Sequence, residues 1–262
     1  MRTSTCRMPT RIRAALTVAG VTVFVGGLGG AAIAGAASSS HGSQTIKSGA
    51  GPGWPKTLQP SDFVRRIDNP WFPLKPGSKW HYRGIDSDGR FRDNMRVTDR
   101  TKTIEGVKAT VVHDVVRKHG KLREVTDDFY AQDDHGNIWY FGENTRELNS
   151  HGHVTSRAGS FLTGRNGARP GVLIPGNPKV GQAARQEFYK GHAEDHFKVL
   201  DLNAHVSTPF VSSKHALRTK ETTPLEPKVL DNKWYVHGVG DVKEKTVKGP
   251  KEILRLVSFH RG

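Results

Sequence analysis

The sequence predicts an all-β protein. Its form is an antiparallel up-and-down meander of about ten strands, curled into a barrel or half-barrel, with a β-sandwich as the alternative. Three observations carry this. Turn residues recur at SDG (87–89), EG (105–106), HG (119–120), DDHGN (133–137) and SHG (150–152), about 14 to 17 residues apart. The runs between them favour extended chain and alternate in polarity. Beyond the N-terminal segment, no ten residues keep a convincing helical period.

The elements follow in order. IDNPWFPLKPGSKWHYRG (67–84) is punctuated by prolines before a first strand at about Lys79. In 91–100, Phe91, Met95 and Val97 share one face with Asp93 and Asp99, while Arg92, Asn94, Arg96, Thr98 and Arg100 share the other. That period of two marks a half-buried strand. VKATVVHDVV (107–116) is largely apolar on both faces, as expected of a more central strand. Residues 122–131 and the aromatic IWYFG (138–142) come next. Short turns between these runs make successive strands antiparallel neighbours. Residues 160–181 are too dense in Gly and Pro for a regular element and read as a long crossing loop. Strands resume at 183–189, 196–200, 204–210, 215–221, 233–237, 239–247 and 253–260.

The first residues differ from the rest. Arg2, Arg7, Arg11 and Arg13 precede an uncharged stretch, Ala14 to Ala37, that ends in Ala34-Gly35-Ala36. A basic start, an apolar middle and small residues at the end read as a secretory signal over 1–36, for the general secretory route. The competing reading is an uncleaved anchor, since the 24 uncharged residues exceed the ~20 that a span needs. Residues 37–58, rich in Ser, Gly and Pro, read as a flexible leader, and 59–262 as a single β domain. Cys6 is the only cysteine and precedes the apolar stretch. The exported chain then has no disulfide.

The formal charge is +15 over 262 residues. Without the signal, 36 basic side chains face 25 acidic ones. Such a protein is drawn to anionic envelope polymers or a membrane surface. An exported chain rarely meets nucleic acid, so none is expected as a partner. Charge that serves only solubility is the plainer alternative.

IDNPWFPLKPGSKWHYRG, DDFYAQDDHGNIWYFGENT, GARPGVLIP, YKGHAEDHF, TKETTPLEP and GVGDVKE together resemble a family of uncharacterised exported bacterial proteins. The resemblance implies export and a shared fold. It transfers no catalytic residue.

Candidate chemistry centres on GHAEDHF (191–197). On a strand, His192, Glu194 and His196 point the same way. Two imidazoles and a carboxylate suit zinc, or iron if positions stay open. The plain reading is a polar bend between two strands. Glu143, just after WYFG, is placed beside aromatics, where a carboxyl's pKa rises. Tyr140 and its neighbours must face both sides of the sheet, one of which can line a cavity for a lipid, a glycan or a hydrophobic peptide. Asp127 and Asp128 face opposite sides of their strand, and Asp133 and Asp134 belong to a hairpin turn. No GxSxG elbow, P-loop, Rossmann fingerprint or HExxH occurs. The sequence therefore predicts non-catalytic ligand binding at the cell envelope around Glu143, Tyr140, His192 and Glu194. A metal-dependent hydrolase or metal-binding protein using His192, Glu194 and His196 is the alternative.

Overall fold

The computed structural model describes residues 45–262, so the predicted signal lies outside the described residues. Eighteen strands form, in chain order β1 (Ile46–Lys47), β2 (Thr57–Leu58), β3 (Phe63–Val64), β4 (Lys79–Asp86), β5 (Gly89–Ile104), β6 (Val107–Lys118), β7 (Lys121–Asp133), β8 (Ile138–Leu148) and β9 (Val154–Ser156). Then come β10 (Phe161–Leu162), β11 (Arg169–Ile174), β12 (Ala183–Arg185), β13 (Glu187–Phe188), β14 (His196–Ser207), β15 (Ser212–Thr222), β16 (Leu230–Val236), β17 (Gly240–Lys248) and β18 (Ile253–His260). Among the described residues there is one short 3₁₀ turn, and no helix is long and apolar enough to cross a membrane.

The strands pair antiparallel along the path β12-β14-β15-β16-β17-β18-β4-β5-β6-β7-β8-β11-β13. From β14 to β18 and from β4 to β8, neighbours in sequence are neighbours in space; the other junctions are β18 with β4, β8 with β11, and the two end pairs β12 with β14 and β11 with β13. The two ends of the path, β12 and β13, are consecutive parts of one extended segment, 183–188. Its first half pairs with β14 and its second half with β11. The sheet thus curls round to a nearly closed barrel with this segment as its seam.

Alternation explains the two faces. On β4, Trp80, Tyr82 and Gly84 are buried while Lys79, His81, Arg83 and Ile85 are exposed. On β5, Phe91, Asp93, Met95 and Val97 turn inward, as the sequence pattern predicts. A register shift after Val97 then buries Thr98, and Asp99 is exposed rather than following Val97 inward. The large buried side chains are Trp80, Trp139, Tyr130, Tyr140, Tyr235 and Phe72.

Three segments differ from expectation. Part of the 37–58 stretch, read as flexible, is ordered: β1 and β2 pair, and Ile46, Ala50 and Leu58 are buried. This ribbon lies over the seam, where Gly49 N–H donates to Pro170 O and Arg185 N–H to Ala50 O. The Gly/Pro-rich 160–181 contains β11, whose Pro170 to Ile174 are all buried. Its apolar run outweighed the turn formers. Residues 196–210, read as two strands, are mostly one, β14, whose register shifts accommodate the polar middle.

Asp133 ends β7 and organises the turn into β8. Its Oδ1 accepts from His135 N and Asn137 N at 3.0 and 2.8 Å. Its Oδ2 accepts from Asn137 Nδ2 and Trp139 Nε1, both at 2.8 Å. Asp133→Ala would leave the buried Trp139 N–H without a partner, and should cost about 2–4 kcal/mol. Urea denaturation checks this through a lower midpoint at unchanged slope.

Candidate functional site

Inward positions on a basic chain are expected to be apolar. Here many are acidic. Asp93, Asp114, Glu124, Asp128, Glu143, Glu187, Asp195, Glu221 and Asp241 are all buried. Among the described residues the buried cations are Lys118 and Lys233. Lys118 is spent near one barrel end on Asp86, at 2.6 and 2.9 Å.

Two of the predicted residues meet at the heart of this interior. Asp128 on β7 lies directly opposite Glu143 on β8. The Tyr140 hydroxyl stands between them, 2.5 Å from Asp128 Oδ1 and 2.9 Å from Glu143 Oε2. One hydroxyl carries one proton. Both short contacts are hydrogen bonds only if one carboxyl is protonated and donates to the tyrosine oxygen. The pKa directions agree. Burial raises both carboxyls well above their usual range; the charge of Asp128 raises Glu143 further, while the Tyr140 bond opposes the rise in both. Burial likewise raises Glu187, with the charges of Asp195, Glu143 and Asp128 adding to it. Tyr130 stacks on Tyr140 with ring centroids 4.8 Å apart at 18°. Asp128 Oδ2, Glu187 Oε1 and the Tyr130 hydroxyl are buried with no hydrogen-bond partner. Natural interiors rarely leave such atoms unpaired.

A second part of the interior surrounds Lys233 on β16. Its ammonium is 3.1 Å from Glu221 Oε2 and 3.6 Å from Glu244 Oε1. Burial alone would lower its pKa, but the charges of Glu221, Glu244 and Asp241 more than offset this and hold it well above the ordinary lysine range. Burial raises Asp241 to about 7, against the pull of Glu244 and Lys233. Lys220 is next to Glu221 in the sequence. It faces the other side of β15, and Lys233 from the next strand pairs with Glu221 instead.

The histidine cluster is arranged differently from the expected strand. Residues 189–193 close as a turn, with His192 N–H and Ala193 N–H both bonded to Tyr189 O. The His192 ring stacks on Tyr189 at 4.2 Å. Glu194 Oε1 accepts from Gly191 N at 2.7 Å. His196 only opens β14, half-buried, and burial followed by the charge of Arg185 lowers its pKa. The donor atoms of His192, Glu194 and His196 do not gather within 4.8 Å of one another. The buried acid of this segment is Asp195. Among the described residues, Asp133, Asp134 and His135 form the set with that spacing, and Asp133 is already committed to its turn.

Among the described residues, two of the recesses outside the interior are notable. One, of about 750 Å³, runs between residues 65–78 and 98–101; Ile67, Pro70 and Leu74 line it, with Arg65, Arg66 and Arg100 also contributing. The other, of about 880 Å³, is lined by Arg83, Arg90, Arg92, Arg117, His119 and Arg255 among others.

No protein-family model matches the chain, and no curated protein does. Among solved structures, the chain is similar to a candidate exported protein with a YmcC-like fold from Bacteroides fragilis. That match has 13% identity over 73% of this chain and 99% of the other, with a TM-score of 0.42. It is also similar to a candidate lipoprotein from Parabacteroides distasonis, at 12% identity over 72% and 98% of the two chains and a TM-score of 0.37.

Proposed function

We propose that this chain is an exported envelope protein whose barrel interior binds an amine-bearing ligand without transforming it. One observation carries the reading. The interior holds an excess of carboxyls beside a tyrosine stack, and Asp128 Oδ2, Glu187 Oε1 and the Tyr130 hydroxyl are unpartnered. An ammonium group supplies up to three donors to such atoms and is attracted to aromatic faces. Among the ligand classes the sequence suggests, this favours an amino sugar or a basic peptide side chain over a fatty acid. Export rests on the basic, apolar and small-residue pattern of residues 1–36. The carboxyls are buried, so entry requires part of the wall to open. The seam segment 183–188, which carries Glu187, is the natural place.

The test uses spermidine and glucosamine as probes, with native mass spectrometry and thermal unfolding. At saturating probe, about a hundredfold above Kd, the gain in stability should be about 2.7 kcal/mol. The paired change Asp128→Asn with Glu143→Gln should abolish the shift while leaving a folded barrel. The raised pKa values also give binding a pH dependence. A cation must displace protons held by these carboxyls, so affinity should rise from pH 5 to pH 8. No binding of either probe at pH 8, or binding unchanged in the double variant, defeats the proposal.

A second reading rests on the 750 Å³ recess, whose apolar residues and nearby arginines suit an amphipathic anion such as a lipid. Oleate binding that Asp128→Asn with Glu143→Gln leaves intact would identify this recess instead.

A further inference from the structure

The outer face carries a feature independent of the interior. Read across the strands, Arg255 on β18 lies opposite Arg83 on β4. Arg83 lies opposite Arg92 on β5, and Arg92 opposite Arg117 on β6. In the other direction Arg255 lies opposite Lys243 on β17, whose ammonium sits over the Trp234 ring of β16 at 4.9 Å. Five adjacent strands therefore place a cation at the same level. Strands are about 4.8 Å apart, so the row spans about 19 Å.

Like charges directly opposite one another destabilise a sheet. Nearby acids would offset this, but they are missing. Among the described residues, none of the five makes a salt bridge. The outward positions of β4 are Lys79, His81, Arg83 and Ile85, and those of β5 from Arg90 to Arg96 are Arg90, Arg92, Asn94 and Arg96. A second level aligns His260, Lys79, Arg96 and His113 opposite one another in turn, but there Asp127 meets His113 at 2.8 Å, so the row without acids is the first. Arg83, Arg90, Arg92, Arg117, His119 and Arg255 line the 880 Å³ recess, so the row borders a hollow rather than projecting separately into solvent.

We propose that this row binds a flexible, linear polyanion of the phosphodiester or polyphosphate type, laid across the strands. Guanidinium groups match phosphate oxygens in a bidentate fork, and four of the five cations are arginine. Shape chooses between a chain and a bilayer. The row runs around the barrel's circumference, on a convex surface. A flat membrane touches few strands of such a surface at once, whereas a flexible chain follows the curve and meets every cation in turn.

Linear polyphosphate, inorganic orthophosphate and vesicles of phosphatidylglycerol are the probes, each with the full chain. Polyphosphate should bind, with affinity falling steeply as salt rises. Orthophosphate should bind far more weakly, because it meets only one or two arginines. The double variant Arg83→Ser with Arg92→Ser should lose about tenfold in affinity, and its log–log salt dependence should become shallower by roughly 1 to 2. Arg165→Ser, on an exposed turn elsewhere, should bind like the wild type. Removing opposed like charges should leave Tm unchanged or raise it. If the double variant fails to fold, the single changes Arg117→Gln and Arg255→Gln are read in the same way. Polyphosphate binding equal in wild type and variants overturns the proposal. So does binding to vesicles with none to polyphosphate, which would make the face a membrane-docking surface.

Discussion

Lys233→Met should destabilise the barrel by about 3–5 kcal/mol at pH 8. Among the described residues, the lysine is the buried cation facing Glu221, Glu244 and Asp241. Methionine fills much of the space of the stem but leaves three carboxyls buried without their counter-charge. The sign of the pH dependence follows from the raised pKa values. A carboxyl whose folded pKa exceeds its unfolded value contributes stability that is complete below about pH 4 and is lost as pH rises through the folded value. For Asp241 that window extends to about 7, and Glu244 is raised in the same direction by burial. Without Lys233 the same groups hold their protons more tightly, so the variant's deficit should shrink markedly by pH 5. Urea midpoints of both proteins at pH 5 and pH 8 check this. An equal deficit at both pH values would mean that packing, not charge, is what the lysine provides.

Gly171→Val should open the seam. A side chain here has no room, because a Cβ would lie 2.3 Å from Arg185 O and 2.5 Å from the Gln186 carbonyl carbon. Both are backbone atoms of the segment joining the two ends of the sheet, so no rotamer change relieves the clash. Overpacking of this kind costs about 3 kcal/mol. Hydrogen exchange should accelerate in β11 and in residues 183–188 while β5 and β6 stay protected. Uniform loss of protection, or an unchanged denaturation midpoint, would contradict the view that this segment alone closes the ring.

Much of the wall was readable from sequence, because alternation and turn chemistry are local. Lys79, Arg83, Trp80 and Tyr82 face as their period of two requires, and Asp127 and Asp128 point to opposite sides. Glu143 and Tyr140 could be suspected because a carboxyl beside a run of aromatics is unusual. Their meeting with Asp128 could not be read, since it depends on cross-strand register and on the shift between Phe129 and Tyr130. The same holds for Lys233 and for the arginine row, whose members are far apart in sequence. His192, Glu194 and His196 failed to converge for a local reason. The Tyr189–Ala193 bridge folds 189–193 into a turn, so the assumed alternation starts only at His196. The segment 183–189 was legible as extended, but β11, its partner across the seam, stayed hidden because glycines and prolines around it resemble loop chemistry, although its apolar run gave a hint.

The bond between β18 and β4 has a consequence for biosynthesis. His260 pairs with Lys79, so a strand made late in the chain lies beside the first long strand. Until residues 253–260 emerge, β4 and β17 each present a bare, hydrogen-bond-hungry edge, the kind that recruits other chains. Loss of residues 253–260 would make that transient hazard permanent, turning the nearly closed barrel into an aggregating open sheet.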